Sequence, residues 1–303
     1  MKSITVSVFI LTYNQETYIS QTIESILAQQ TNFAFQLVIG EDHSTDKTRT
    51  IIKNYVEQYP DKIKLLPALD SNIGLIGNYM QTIRACDGKY IAICDGDDYW
   101  IDTKKLQKQV DFLEQHPDFS IVFTSIKKEL ANGDFKPGNM PAKYILDFND
   151  LVYDNFIPSV SVLFRNHETF KAMPKWMLKY PYGDWPTYLL LLKDGAKIKY
   201  LDDVTAVHRI EAGITASLKK DLSSLLKTNL NILKDVFNDQ QFAAKRPIVK
   251  QAMYALSVKL MTTYNREKHY FKALIQFLRN LSLATKTYYT VNMYLYSLSK
   301  SFK

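Results

Sequence analysis

Asp95-Gly96-Asp97-Asp98 packs three carboxylates into four positions, directly after the apolar run Lys89-Tyr90-Ile91-Ala92-Ile93-Cys94. Carboxylates this close repel one another unless protons or a cation relieve them. An oxygen-only cluster at a strand end suits a hard divalent ion, Mg²⁺ or Mn²⁺. An ion held by one or two protein carboxylates usually completes its shell with water and a substrate phosphate. The chemistry implied is the handling of a phosphorylated donor. Two more polar clusters fall where strands should end: Leu11-Thr12-Tyr13-Asn14 and Gly40-Glu41-Asp42-His43-Ser44-Thr45-Asp46. Tyr13 could stack on a base, and Asp42 could accept a base N–H. Read alone, the second cluster is first of all a turn and a helix N-cap, a role that suits Ser44 and Asp46.

The elements that must position these clusters alternate at short range. Ile4 to Leu11 is a near-continuous β-branched run, suited to a strand buried on both faces. Tyr18, Ile19, Thr22, Ile23, Ile26 and Leu27 recur at helical spacing. Phe35 to Gly40 predicts a second strand, and the stripe Ile51, Ile52, Tyr55, Val56 and Tyr59 a second helix ended by Pro60. Ile63 to Leu66 predicts a third strand, Met80 to Ala85 part of a helix, and Lys89 to Cys94 a fourth strand. Leu106, Val110 and Leu113 mark a helix ended near Pro117, and Ile121 to Phe123 a fifth strand. This alternation implies a parallel α/β sheet with ligand sites at the carboxyl ends of its strands. Residues 130–183, richer in Gly, Pro and aromatics, read as a partly extended insertion, and Trp185 to Leu192 as a buried helix. From Asp221 onward the pattern is helical, and the best boundary lies near Thr215, dividing the chain into 1–215 and 216–303.

The 303 residues are ample for one large domain plus an extension, and no apolar run approaches the roughly 18 residues of a membrane span. Thr12-Tyr13-Asn14 ends the first apolar run too early for a secretory signal. With only Cys86 and Cys94 a disulfide framework is implausible, so a cytoplasmic protein is expected. The net charge of +7 is unevenly placed: residues 1–215 carry 23 Lys+Arg against 27 Asp+Glu, and residues 216–303 carry 15 against 4. The basicity therefore belongs to the tail, where it is interleaved with Tyr and Phe.

Taken together, several segments resemble family 2 glycosyltransferases of the GT-A fold: Val8 to Asn14, Glu41 to Asp46, Asn72-Ile73-Gly74 with Asn78, and Gly88-Lys89-Tyr90 through Asp98. The resemblance covers roughly residues 4–215, in order. It implies a mixed, mainly parallel sheet flanked by helices, here followed by a C-terminal helical extension. It also implies an inverting enzyme that uses a nucleotide-sugar, usually a UDP-sugar. It assigns the nucleoside to Thr12, Tyr13, Asn14, Glu41, Asp42 and Asn72. Glu41 stands where the family has its first Asp, which leaves Asp42 the better base-reader. The family's acidic metal motif falls on Asp95, Asp97 and Asp98, with Asp98 foremost for the metal and Asp95 and Asp97 for orienting donor ribose or sugar.

Inversion requires a base that deprotonates the acceptor hydroxyl as it attacks. Gly183-Asp184-Trp185-Pro186 resembles the family's base motif and assigns Asp184, whose plain alternative is a helix N-cap. Val207-His208-Arg209-Ile210-Glu211 resembles the segment that closes over the diphosphate. Arg209 matches as a diphosphate contact, whereas Glu211 replaces the customary His, so His208 stands either as a metal ligand or as a structural histidine. The tail reads as helices packed on the catalytic domain with solvated basic faces, or as an interfacial surface for anionic lipid suited to a lipid-linked acceptor. It could equally join two copies of the chain.

The expectation is a cytoplasmic enzyme, peripheral at the inner membrane face, that uses Mn²⁺ or Mg²⁺ to transfer a sugar to a glycan or lipid-linked acceptor. One rival is a non-catalytic nucleotide-sugar or glycan-binding homologue. The other is a polymerase palm, echoed by Gly96-Asp97-Asp98. A motif closing a parallel unit and a net-acidic first two-thirds argue against a nucleic-acid partner.

Overall fold

The computed structural model describes residues 4–210, 221–283 and 287–301. The boundary expected near Thr215, the departure at Glu211, and Lys219, Lys220 and Lys286 lie outside the described residues. The chain divides into two compact units: residues 1–148 with 155–213, and residues 149–154 with 214–303.

The first unit is built on one mixed sheet of ten strands in the order β3-β2-β1-β4-β9-β6-β10-β5, with β7 on β6 and β8 on β10. Strands β1 (Val6–Thr12), β2 (Phe35–Glu41), β3 (Ile63–Leu65) and β4 (Tyr90–Ile93) run parallel. All seven residues of β1 are buried, as a β-branched strand with a neighbour on each edge and helices on its faces requires. Helices α1 (Ile19–Leu27), α2 (Thr48–Gln58), α3 (Gly74–Arg84) and α4 (Lys105–Gln115) connect these strands and carry the chain on to β6. On α1, Ile19, Thr22, Ile23 and Ile26 are the buried stripe, as their spacing predicts. The core joins this stripe to Val8, Ile10, Leu37, Ile39, Ala92, Leu106 and Val110. Cys86 and Cys94 are buried free thiols.

The second half of the sheet departs from a simple parallel order. The segment read as an insertion supplies β7 (Phe135–Pro137), β8 (Ile145–Leu146) and β9 (Leu163–Arg165), along with the short helix α5 (Phe148–Leu151). Strand β9 lies antiparallel between β4 and β6 (Phe119–Glu129), so this segment threads the middle of the sheet. Helix α6 (Asp184–Leu192) leads into β10 (Lys197–Arg209), a strand that sequence periodicity did not reveal. It pairs parallel with β6, with register shifts around Val204, and antiparallel with β5 (Tyr99–Trp100), matching Val207 to Tyr99. The same register carries His208 and Arg209 past the end of the acidic loop.

In the second unit, α8 (Arg246–Arg266) packs against α7 (Leu222–Asn238), α9 (Tyr270–Leu283) and α10 (Thr287–Ser301). Among the described residues no helix is long and apolar enough to cross a membrane.

Candidate active site

Parallel register sets Thr12 beside Glu41, so the first two polar clusters meet at adjacent strand ends. The loops that follow are laced together. The Asn14 N–H donates to Ser44 Oγ (3.0 Å), Asn14 Oδ1 accepts from Thr45 N–H (2.8 Å), and Gln15 N–H donates to Thr48 Oγ1 (2.7 Å). Asn14 holds this geometry with φ of 51°, a left-handed conformation that Asn tolerates better than most residues. Both oxygens of buried Glu41 are engaged, Oε1 by Ser44 N–H (2.5 Å) and Oε2 by Arg49 Nη1 (2.8 Å). Burial alone would raise its pKa, but these bonds hold the carboxyl below its usual range. Asn14 and Glu41 therefore hold these loops in place.

Asp42 is placed differently. Its Oδ1 accepts from Ile73 N–H (2.7 Å), and Asn72 Nδ2 donates to its carbonyl (2.9 Å), which draws the 66–73 loop over the end of β2. Burial pushes its pKa up in spite of those N–H groups. Tyr13 stands exposed at the rim, while Thr12 is buried. Gly40 has to be glycine, since a Cβ there would come within 1.9 Å of Thr82 Oγ1 and 2.4 Å of Asn78 Oδ1.

The acidic loop is anchored from below. Gly96 N–H donates to Leu11 O (2.8 Å), and Thr22 Oγ1 donates to Asp98 O (2.7 Å). Asp98 receives His208 Nδ1 at 3.0 and 3.2 Å, and the Arg209 N–H donates to its Oδ1 at 2.9 Å. Burial, and then the Asp98 and Asp97 charges, push Asp95 up to about 8. Burial and Asp98 raise Asp97 to about 6. Burial opposes charge on His208, but the Asp98 hydrogen bond and the acidic neighbours win, so its pKa is raised.

The Arg209 side chain is held by two hydrogen bonds and an ion pair. Nη1 donates to Asp97 O (2.5 Å), Nη2 to Gln21 Oε1 (2.5 Å), and Nε lies 3.1 Å from Glu129 Oε2. Its guanidinium carbon lies over the rings of Tyr18 and Tyr99, 4.8 and 4.6 Å from their centroids. Arg209 is thus the fastener of the acidic loop. Thr12 Oγ1 and Gln15 Oε1 are buried with no hydrogen-bond partner among the described residues. A Cβ at Gly96 would meet them at 2.9 and 2.4 Å, so glycine keeps a polar niche open beside the acids.

Asp184 heads α6, and its Oδ2 accepts from Asn155 Nδ2 (2.8 Å). Burial raises its pKa against the Trp185 N–H and Asn155 bonds. Asp95 Oδ2 accepts from Ser159 Oγ (3.0 Å), so one short segment orients both acids. Burial is the larger cause that pushes up the pKa of Tyr79 and of Tyr188, with Asp184 and Asp95 adding to it in each. Tyr79 donates to Thr187 Oγ1 (3.0 Å), whereas the buried Tyr188 hydroxyl has no hydrogen-bond partner among the described residues.

Among the described residues no group of three His, Cys, Asp or Glu side chains forms a ready metal cage. The donor chemistry nonetheless fits a hard divalent ion, because buried carboxyls that resist ionisation beside one another are relieved by a cation. Sequence reasoning missed Asn155, Ser159, Tyr79 and Tyr188, because the first two sit in an irregular segment and the tyrosines in ordinary helical stripes. The clamp of Glu41 by Arg49 was equally invisible, since the two become partners only once α2 packs.

The profile of the family described as Glycosyl transferase family 2 matches residues 7–169. An uncharacterized protein of Mycobacterium tuberculosis is 32% identical over 228 residues, a match covering 73% of this chain but only 64% of that protein's length. The Escherichia coli UDP-Glc:alpha-D-GlcNAc-diphosphoundecaprenol beta-1,3-glucosyltransferase WfaP is 28% identical over 235 residues, 76% of this chain and 86% of WfaP. S. aureus TarS 1-349, solved in complex with UDP-GlcNAc, superposes with a TM-score of 0.61 at 19% identity, covering 98% of this chain and 90% of that one. The sheet flanked by helices is that neighbour's fold, and the chain belongs to glycosyl transferase family 2.

Proposed function

We propose that this chain is an inverting glycosyltransferase that moves a sugar from a UDP-sugar to a hydroxyl of a glycan or lipid-linked glycan. Residues 1–215 are the catalytic part and residues 216–303 a helical extension. The observation that carries the reading is the pair of hydrogen bonds from one short segment, Asn155 to Asp184 and Ser159 to Asp95, which supports a donor-side acid and an acceptor-side acid serving one site. The UDP-GlcNAc bound to TarS and the donor and acceptor in the name of WfaP support the substrate classes.

In this reading Tyr13 stacks on the base, Asp42 accepts a base N–H, and Thr12 and Asn72 complete the nucleoside seat. Glu41 and Asn14 hold the seat's shape. Asp97, Asp98 and His208 would hold Mn²⁺ or Mg²⁺, which when bound offsets negative charge on the diphosphate. Asp95, fixed by Ser159, orients the sugar. Arg209 acts on the diphosphate through the loop it fastens. Asp184 takes the acceptor's proton as the hydroxyl oxygen bonds to the anomeric carbon from the face opposite the diphosphate. The old C–O bond breaks, its electron pair leaves with the nucleoside diphosphate, and configuration inverts. Burial keeps Asp184 more basic than an exposed carboxylate, which suits that role. The basic extension brings the enzyme to the anionic inner face of the cell membrane, where a lipid-linked acceptor would lie.

The test is a panel of nucleotide-sugars with Mn²⁺ or Mg²⁺ against chelator, scored for hydrolysis and then for transfer, run beside Asp184→Asn. Turnover of a UDP-sugar that collapses in the variant while UDP still binds supports the reading. Full activity in Asp184→Asn removes the base assignment, and nucleotide incorporation on a primed template would transfer the site to polymerase chemistry.

A further inference from the structure

The last two helices turn polar side chains inward and several large apolar ones outward. In α9 the buried positions are Ala273, Gln276 and Asn280, while Phe271 (75% exposed), Leu274 and Leu278 (57%) share the outward face at the same i, i+3, i+7 spacing. In α10 the buried side chains include Thr290 and Ser297, and Tyr288 (80% exposed), Tyr289, Leu295 and Tyr296 face outward. A helix of a water-soluble domain ordinarily turns its apolar stripe inward.

Rotating these helices would not repair the arrangement, because the inward polar groups are bonded. Gln276 Nε2 donates to Ser257 Oγ (2.6 Å) and Asn280 Oδ1 (3.1 Å), and Ser257 Oγ also donates to Asn280 Oδ1. Asn265 Nδ2 donates to Ser297 Oγ (2.8 Å), and the Tyr254 and Thr290 hydroxyls lie 2.5 Å apart. Buried hydrogen bonds of this kind fix helix register. The outward apolar faces are therefore built to be covered.

We propose that the outward faces of α9 and α10 dock on an anionic phospholipid surface. From Tyr270 to Lys303 the chain has five Lys/Arg and no Asp or Glu, so this stretch adds positive and no negative side chains to its apolar residues. Tyr, Phe and Leu beside Lys and Arg are the residues that settle at a membrane–water interface, and basic residues gain from acidic headgroups. A two-fold contact with a second copy would instead set this positive face against itself. The inference names the surface partner of the proposed enzyme, and its test does not depend on the enzyme's chemistry.

The experiment is co-sedimentation of the full chain with phosphatidylglycerol-containing vesicles and with pure phosphatidylcholine vesicles. It is repeated with the triple variant Phe271→Ser/Leu278→Ser/Tyr288→Ser, which keeps every charge. The proposal expects sedimentation with the anionic vesicles, weakened by salt. It also expects about a tenfold loss of partitioning in the triple variant, the size set by removed apolar contact. An unchanged circular-dichroism melt and unchanged UDP binding show that the variant is folded, and Lys272→Glu provides a second, single-site variant expected to weaken binding. A wild-type chain left in the supernatant with anionic vesicles overturns the proposal. So does a solution dimer by light scattering that the triple variant dissolves, which would assign the face to a second copy. Failure of every nucleotide-sugar to react would sink the functional reading and leave the vesicle result standing.

Discussion

His208 Nδ1 lies 3.0 Å from Asp98 Oδ2, and the next residue's N–H donates to Asp98 Oδ1, so one carboxylate ties strand β10 to the acidic loop. The residues are 110 positions apart, and only the pairing of β10 with β5 and β6 brings them together. Arg209 reinforces the tie from the other side. A guanidinium stacked between two tyrosines with three engaged nitrogens cannot be copied by an ammonium. Arg209→Lys should cost about 1–3 kcal/mol of stability, read as a lower denaturant midpoint. A midpoint equal to wild type would contradict the fastening role.

Asp184→Asn should lower kcat by about two to four orders of magnitude while UDP affinity stays near wild type, as expected when a general base is removed. In the wild type the acid limb of the rate profile reports the carboxylate, and its raised pKa places that limb above the ordinary carboxylate range. The Asn155 amide favours the ionised form, so Asn155→Ala should move the limb to still higher pH. A limb that shifts downward, or not at all, argues that Asn155 does not orient the base.

Glu41 and Asp42 are neighbours in sequence with separable duties. Glu41→Gln breaks the bond to Arg49 and weakens the one to Ser44, and should destabilise the fold by about 1–3 kcal/mol. Asp42→Asn should instead weaken UDP binding more than it weakens the fold. Calorimetric titration with UDP, beside thermal melts of both variants, separates the two. The reverse ranking would return the nucleoside contact to Glu41.

Behind the acidic loop, Lys105 is fully buried over the Trp100 ring at 4.2 Å, with Nζ donating to Gln109 Oε1 at 2.9 Å. Burial pushes its pKa down to about 7 from an ordinary 10.5, against the charges of Cys94 and Asp102. Between those two pH values the unfolded chain binds a proton that the folded chain does not, so this residue makes stability rise with pH through that window. Below about pH 7 its penalty is fully present. Lys105→Met should remove that rise and melt higher than wild type at neutral pH. Parallel melting curves for the two proteins from pH 7 to pH 10 would show that Lys105 is not the titrating group.

Much of the first unit is legible because parallel strands buried on both faces demand near-continuous apolar runs. Val6 to Thr12 and Phe35 to Glu41 therefore stand out from their surroundings, and the polar residues at their ends stand out with them. Strand β10 stays hidden because it is neither continuous nor alternating: Asp202 and Asp203 interrupt it and its register shifts around Val204. The segment 130–183 misleads for a similar reason. Its loops and short 3₁₀ turns carry no period, yet Asn155 and Ser159 orient the two central acids.

By itself, the sequence determined which residue types end the strands, and so the kind of chemistry available. Carboxylates directly after a buried apolar run must be relieved by protons or a cation wherever the chain takes them. Tertiary structure alone decided which partners these polar groups meet within the chain. Glu41, Asn14 and Arg209 all lie in motifs that read as ligand contacts, but each is engaged by a partner brought from elsewhere in the chain: Arg49, Thr45 and Asp97. A hydrogen bond depends on distance and direction in space, and neither is written into the spacing of residues along the chain.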